Sequence, residues 1–321
     1  MTSQPMPTGR PEVLHPAIQR MVEQLARDGA PPIQTLTPEE ARNALVRIQP
    51  SFETNNLVQE SKIQRNGHGV RLHVIRPRSA PEHAAAILYF HGGGWVVGDY
   101  TTHGRLANQL AVATNAAVIF VDYDRAPERR YPGAIEQGYA ATCYVAEHAQ
   151  EFGIDARRLG VAGDSSGANL ATVMTLLSKE RHGPAIACQV LLYPATDATF
   201  ETASYQQFSH GPWLTRETMQ WFWNQYLPNR TERNAPTASP LRASLEQLTG
   251  LPPTLIITAE HDVLRDEGEA YGRKLMEAGG EVVSTRYNGV IHDFMMFDAI
   301  AETAPVRAAL TQASDFLKNV P

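Results

Sequence analysis

From about Asn56 onward, short continuous apolar runs alternate with stretches whose apolar positions recur every three to four residues. The runs Ala85-Ala-Ile-Leu-Tyr-Phe90, Ala117-Val-Ile-Phe-Val-Asp122, Leu159-Gly-Val-Ala162, Gln189-Val-Leu-Leu-Tyr193 and Thr254-Leu-Ile-Ile-Thr258 predict strands, with a last strand over Glu281 to Tyr287. Helices are expected at residues 103–114, 134–152, 166–181, 266–278 and 304–319. Strands that are apolar on both faces and alternate with helices specify a mostly parallel sheet covered on its two sides. Two further strands, Leu57 to Gln64 and Val70 to Arg76, flank Asn66-Gly67 and predict an antiparallel hairpin at one edge.

Two regions break this rhythm. In the first 50 residues, Ile18, Met21, Val22 and Leu25 follow helical spacing, and Thr37-Pro38-Glu39-Glu40 reads as an N-cap, a first-turn proline and early acids opening a second helix through Val46. Asp28-Gly-Ala-Pro-Pro32 separates the two helices. Residues 196–250 contain no clear strand but many large apolar side chains, among them Phe200, Tyr205, Phe208, Trp213, Trp221, Phe222, Trp223 and Tyr226. A segment of that length is too long for a plain loop, and its rings predict a helical excursion packed over the carboxyl edge of the sheet.

With 43% hydrophobic and 19% charged residues, the 321-residue chain has the composition of an ordinary globular enzyme, which excludes a disordered tail, a collagen-like fibre and a coiled coil. The formal charge of −6 lacks the basic footprint of a nucleic-acid binder. Cys143 and Cys188 form no CxxC pair and predict buried free thiols. Met1 to Arg10 has no apolar core of a signal peptide and no apolar run reaches the length of a membrane span, so the expectation is a soluble cytoplasmic protein.

Gly163-Asp164-Ser165-Ser166-Gly167 lies between a predicted strand and a predicted helix, the context in which G-x-S-x-G carries a nucleophile. A serine on a sharp strand-to-helix turn projects its hydroxyl, and the neighbours two positions away must lack side chains because the helix and strand pass closely there. The spacing to both glycines selects Ser165 over Ser166. His91-Gly92-Gly93-Gly94-Trp95 follows directly on a strand, and its bare backbone can donate N–H groups to an oxyanion. A phosphate-binding reading fails because the third glycine of G-x-G-x-x-G would fall on Val97. Gly93, Gly94 and the N–H of Ser166 are therefore the expected oxyanion donors, and His91 is expected to be a hydrogen-bonded structural residue.

In this chemistry the order along the chain is Ser, then acid, then His. Four histidines follow Ser165: His182, His210, His261 and His292. His182 ends a helix, His210 lies in the aromatic excursion and His261 adjoins Asp262. His292 alone follows a strand and has a strand-end acid upstream, which makes it the expected base. Asp262 is the expected acid, with Asp197 as runner-up; Asp266 reads as a helix cap and Asp293 as a loop residue. The acid holds the imidazole in one tautomer and stabilises the imidazolium.

Taken together, HGGGW at 91–95, GDSSG at 163–167, HDVLRDEG at 261–268 and YNGVIHDF at 287–294 resemble the hormone-sensitive-lipase family of α/β-hydrolases, in its bacterial carboxylesterase branch. The resemblance runs from about residue 57 to the C-terminus. It implies an α/β-hydrolase fold with a mostly parallel eight-stranded sheet, helices on both faces and a helical cap. Residues 1–50 and 196–235 would form the cap, and residues 51–195 and 236–321 the core. It further implies Ser165, Asp262 and His292 as the triad and Gly93, Gly94 and Ser166 as the oxyanion hole. No cofactor or metal is implied, and a homodimer through the terminal sheet edge, as the family often forms, is allowed for.

The chain departs from the family at several places. Ser166 stands for the usual Ala and Ala168 for the last Gly of GDSAGG. DYRLAPE becomes Asp122-Tyr-Asp124-Arg125-Ala-Pro-Glu128, which predicts altered salt bridging behind the site. HGF becomes His292-Asp293-Phe294, which sets a carboxylate beside the base. The expected activity is hydrolysis of short-to-medium-chain carboxylic esters through an acyl-enzyme, with a small-molecule ester as partner and with neither nucleic acid nor membrane. Trp95, Phe208, Trp213 and Leu214 are the expected pocket-lining residues. The alternatives are an amidase or formamidase with the same triad, and a non-catalytic ligand-binding receptor, against which the intact Ser165 and His292 argue.

Overall fold

The alternating runs assemble into one eight-stranded sheet in the computed structural model of the chain, which describes residues 13–49 and 52–319. The leader expectation for Met1 to Arg10 lies outside the described residues, as does the beginning of the expected 1–50 segment. The strands are β1 (Leu57–Arg65), β2 (His68–Arg76), β3 (Ala84–Phe90), β4 (Ala117–Asp122), β5 (Ile154–Asp164), β6 (Cys188–Leu192), β7 (Thr254–His261) and β8 (Val282–Ile291). Their spatial order is β1-β2-β4-β3-β5-β6-β7-β8. The β1–β2 hairpin is antiparallel and β2 joins β4 antiparallel, while every other neighbouring pair is parallel. β3, β4 and β6 are buried almost throughout, as their unbroken apolar sequences require.

The helices are α1 (Pro16–Arg27), α2 (Pro38–Ile48), α3 (Tyr100–Thr114), α4 (Gly133–Glu147), α5 (Ser166–Glu180), α6 (Ala203–Gln207), α7 (Arg216–Tyr226), α8 (Leu245–Leu248), α9 (Arg265–Glu277) and α10 (Ala304–Lys318). α3 and α10 pack together against one side of the sheet, and α4, α5, α8 and α9 form a second contiguous layer. Cys143 and Cys188 are buried and unpaired. No described helix is long and apolar enough to cross a membrane.

Several boundaries differ from the sequence expectation, and four of them have a local reason. α4 stops at Glu147, and Gly153 at φ +60° turns the chain into β5 five residues before Leu159. The polar stretch Asp155 to Arg158 opens that strand and carries no apolar signal. α3 begins at Tyr100 because the Asp99 carboxylate accepts from the N–H groups of Thr101 (2.9 Å) and Thr102 (3.2 Å). β8 continues through Asn288-Gly289 to Ile291, so His292 follows the strand immediately.

The segment between β6 and β7 contains α6, α7 and α8 and no strand. α7 is capped by Thr215, whose hydroxyl accepts from Thr218 N–H at 3.0 Å. Its Met219, Phe222, Trp223 and Tyr226 share one face and are buried. Tyr226 stacks on Trp95 with ring centroids 4.3 Å apart, and Trp223 meets Trp95 edge-on at 4.7 Å. Burying each such side chain contributes about 1.5–3 kcal/mol, which fixes α7 on the glycine-rich loop. α2 and the turn before it join the same layer. α2 opens with a capping box between Thr37 and Glu40. Its Arg42 donates to the carbonyls of Val96 (2.8 Å) and Ala126 (2.9 Å). Gln34, between α1 and α2, accepts from the Thr218 hydroxyl of α7 at 2.9 Å.

Candidate active site

β5 ends at Asp164 and α5 begins at Ser166, leaving Ser165 alone in the turn with φ +53° and ψ −120°. A residue with a Cβ is strained in this conformation. The surrounding backbone holds it there: Ser165 N–H donates to Leu192 C=O at 2.8 Å, and Ser165 C=O accepts from Asn169 at 3.2 Å and Ala195 at 3.2 Å. Gly167 makes the turn sterically possible, since a Cβ there would run into the Phe90 and His91 carbonyls.

The loops after β7 and β8 bring two further side chains to this hydroxyl. His292 Nε2 lies 2.9 Å from Ser165 Oγ, and His292 Nδ1 lies 2.6 Å from Asp262 Oδ2. The other Asp262 oxygen, Oδ1, accepts the Leu264 N–H at 2.9 Å, which fixes the rotation of the carboxylate. All three side chains are buried. Asp293 adds a second carboxylate, with Oδ1 3.3 Å from His292 Nε2. Burial opposes the imidazolium, but Asp262 and Asp293 together overcome it and push the His292 pKa up to about 9.

The glycine loop lies against the same turn. Gly93 (φ +95°) and Gly94 (φ +58°) take left-handed backbone, and Gly93 C=O accepts from Val96 (3.0 Å) and Val97 (2.9 Å). The N–H groups of Gly93 and Gly94 have no acceptor among the described residues. Ser166 is the first residue of α5, so its N–H is one of the helix's orphan donors. Two contacts lock the loop to the turn: Trp95 N–H donates to Ser166 Oγ at 3.1 Å, and Gly92 N–H donates to Asp164 Oδ1 at 3.1 Å. The first of these uses the hydroxyl that distinguishes Ser166 from the family's Ala. Asp164 also accepts from Tyr89 (2.6 Å) and faces His103 at 3.4 Å. Although burial raises its pKa, His103 and Tyr89 prevail and keep the carboxyl below its usual range. His91 is fully buried, with Nδ1 2.7 Å from Gly92 O and its ring stacked on Tyr123.

The remaining expected residues divide. Trp213 donates from Nε1 to Asp293 Oδ2 at 3.0 Å and packs edge-on against Phe297 at 4.9 Å. Leu214, the next residue, is buried. Trp95 has no exposed surface, its ring meeting Trp223 edge-on and stacking on Tyr226. Phe208 is likewise a packing residue, 2% exposed against the His261 ring and the Arg265 guanidinium. Among the other candidates, Asp197 pairs with Arg242 at 2.9 Å, His261 sits 3.5 Å from Glu260, and His182 and His210 are exposed. Asp266 does not cap α9; it accepts the Ser204 N–H at 2.7 Å and ties α6 down. In the 122–128 segment, Arg125 donates to Gly98 C=O at 2.7 Å and Asp124 accepts from Gln137 at 2.7 Å. Sequence reasoning missed the Trp213–Asp293 contact, whose one visible sign was a carboxylate where the family has glycine.

Comparison with known proteins agrees with this architecture. A thermostable esterase from Pseudomonas putida of known crystal structure superposes with a TM-score of 0.94 at 47% identity, over 98% of this chain and 99% of that one. An ethyl acetate hydrolase of Pseudomonas putida is 38% identical over 282 residues, 85% of this chain and 88% of its own. A carboxylesterase of Mycobacterium tuberculosis is 34% identical over 268 residues, 82% of this chain and 83% of its own. The sequence model described as alpha/beta hydrolase fold matches residues 87–296, from the middle of β3 to just beyond His292, and on that match the chain belongs to the α/β-hydrolase fold family.

Proposed function

We propose that the protein is a serine carboxylesterase that hydrolyses short-to-medium-chain carboxylic esters through an acyl-enzyme. The observation that carries this reading is the unbroken chain from Ser165 Oγ through His292 to Asp262, at 2.9 and 2.6 Å. Ser165 Oγ attacks the ester carbonyl while His292 Nε2 takes its proton. The tetrahedral oxyanion is held by the free N–H groups of Gly93 and Gly94 and that of Ser166. His292 then protonates the leaving alcohol, and water activated by the same imidazole cleaves the acyl-enzyme. Asp262 holds the tautomer throughout. The relatives named as esterases and as an ethyl acetate hydrolase support the ester class. The described residues 13–49, with residues 196–235, act as the cap, whose Trp213 and Leu214 bound the acyl or alcohol channel.

Initial rates on p-nitrophenyl acetate, butyrate, octanoate and palmitate, beside the p-nitroanilides of the same acids, test this reading. Turnover is expected on the acetate-to-octanoate esters, with a fall at palmitate and much slower anilide cleavage. Anilide rates equal to or above the ester rates would replace the assignment with an amidase. Because kcat/KM reports the free enzyme's base, hydrolysis is expected to rise with pH toward about 9, where His292 becomes neutral.

The glycine loop supplies a separate prediction. A methyl on Gly94 would collide with the Phe222 ring of α7, and the backbone there is left-handed. Gly94→Ala is expected to displace an oxyanion donor and lower kcat by about 10²–10³-fold, the usual cost of losing one. Steady-state kinetics on p-nitrophenyl butyrate read this out, and a KM change alone, with kcat intact, would remove Gly94 from the oxyanion hole.

A further inference from the structure

His292 Nε2 has two neighbours: Ser165 Oγ at 2.9 Å and Asp293 Oδ1 at 3.3 Å. Asp293 is held at φ +63°, a backbone conformation natural to glycine and tolerated by Asp and Asn. Its other oxygen accepts the indole N–H of Trp213 at 3.0 Å, from a residue 80 positions away in the cap. The Trp213 ring is itself braced edge-on by Phe297. The carboxylate thus bridges the base and the cap, and is 15% exposed.

Resting on the esterase reading above, we propose that Asp293 is a positioning residue that draws the Nε2 proton of His292 away from the reacting oxygens, and that the Trp213 indole clasps it in that pose. A proton on Nε2 is needed twice, by the leaving alcohol and in acyl-enzyme breakdown, but before attack Nε2 must be bare. A carboxylate facing Nε2 favours the protonated resting ring, which cannot accept from Ser165. The groups that face this imidazole are Asp262 after β7, Asp293 after β8, Ser165 and Asp164 at the end of β5, and the edge of Tyr193 after β6 at 5.0 Å. From α3, His103 bears on Asp293. Among them Asp293 alone is charged, adjacent to Nε2 and tied to the cap. Burial raises the Asp293 carboxyl pKa on balance; the charge of His292 pulls it back down, and the Trp213 donor lowers it further.

The test is the pH profile of kcat/KM on p-nitrophenyl butyrate for Asp293→Asn, Asp293→Gly and Trp213→Phe, with Ser165→Ala as control. Asn and Gly both accept the left-handed backbone, and Phe keeps the contact with Phe297. For the two Asp293 variants the acid limb is expected to move down by about one pH unit, the smaller end of the effect of one nearby opposite charge. Rates on the acid side then rise roughly tenfold. Trp213→Phe is expected to move the limb in the same direction by less, because the undonated carboxylate takes up a proton more readily. An acid limb that stays in place or moves up in both Asp293 variants overturns the inference, even with ester hydrolysis intact. Hydrolysis that persists in Ser165→Ala would instead refute the esterase mechanism on which it rests.

Discussion

Ser165→Ala is expected to lower kcat/KM for p-nitrophenyl butyrate by about 10⁵–10⁶-fold, the scale on which removal of a serine nucleophile acts. The size follows from the division of labour. Without Oγ there is no acyl-enzyme, and only a water held by His292 and the free N–H groups of the glycine loop remains to attack the carbonyl. The backbone strain at φ +53° is the same for Ala as for Ser, and the hydrogen bonds that hold the turn are made by the backbone of residue 165. The variant should therefore fold with an unchanged melting temperature, so that the loss is chemical. Because Ala neither crowds the imidazole nor alters the loop, KM is expected to change little. A variant that keeps more than a small fraction of wild-type turnover, after exclusion of contaminating esterase, would mean that Ser165 is not the nucleophile.

The features legible in the sequence are those imposed by local sterics. The G-x-S-x-G turn can be read because Gly167 must clear the carbonyls of Phe90 and His91, a constraint confined to a few neighbouring residues. The strand-end positions of Asp262 and His292 can be read because parallel apolar strands deliver their C-terminal loops to one edge. The early start of β5 was hidden because Asp155-Ala-Arg-Arg158 carries no apolar pattern. Ring contacts within the excursion are not legible for a different reason. A large ring in the excursion can face a channel or another ring, and which it does depends on packing between segments far apart in the chain. Trp95 was taken by Trp223 and Tyr226 from α7, whereas Trp213 reached Asp293. The sequence of either partner alone carries no trace of these pairings.

The hold on Asp262 leads to the second large effect. Asp262→Asn is expected to reduce kcat by about 10⁴-fold, the known scale for a triad whose acid becomes an amide. The structure supplies the reason in this chain. Leu264 N–H donates to Oδ1 at 2.9 Å and will retain an oxygen at that position. The amide nitrogen of Asn must then take the place of Oδ2, 2.6 Å from His292 Nδ1. An NH₂ group facing Nδ1 forces that nitrogen to be the acceptor, so the ring proton moves to Nε2, where it blocks abstraction from Ser165. The same substitution removes the carboxylate that raises the His292 pKa most, so the acid limb of residual activity should move down in pH. Stability should follow the same linkage. A base raised from its ordinary value to about 9 adds stability that is complete below about 6.5 and is lost as pH rises through 9. The wild type should therefore exceed Asp262→Asn in urea resistance most clearly below about pH 6.5, and the two should converge in mild alkali. A drop of less than tenfold in kcat, with the acid limb unmoved, would show that Asp262 does not hold the base, and Asp293 would then be the carboxylate to examine in its place.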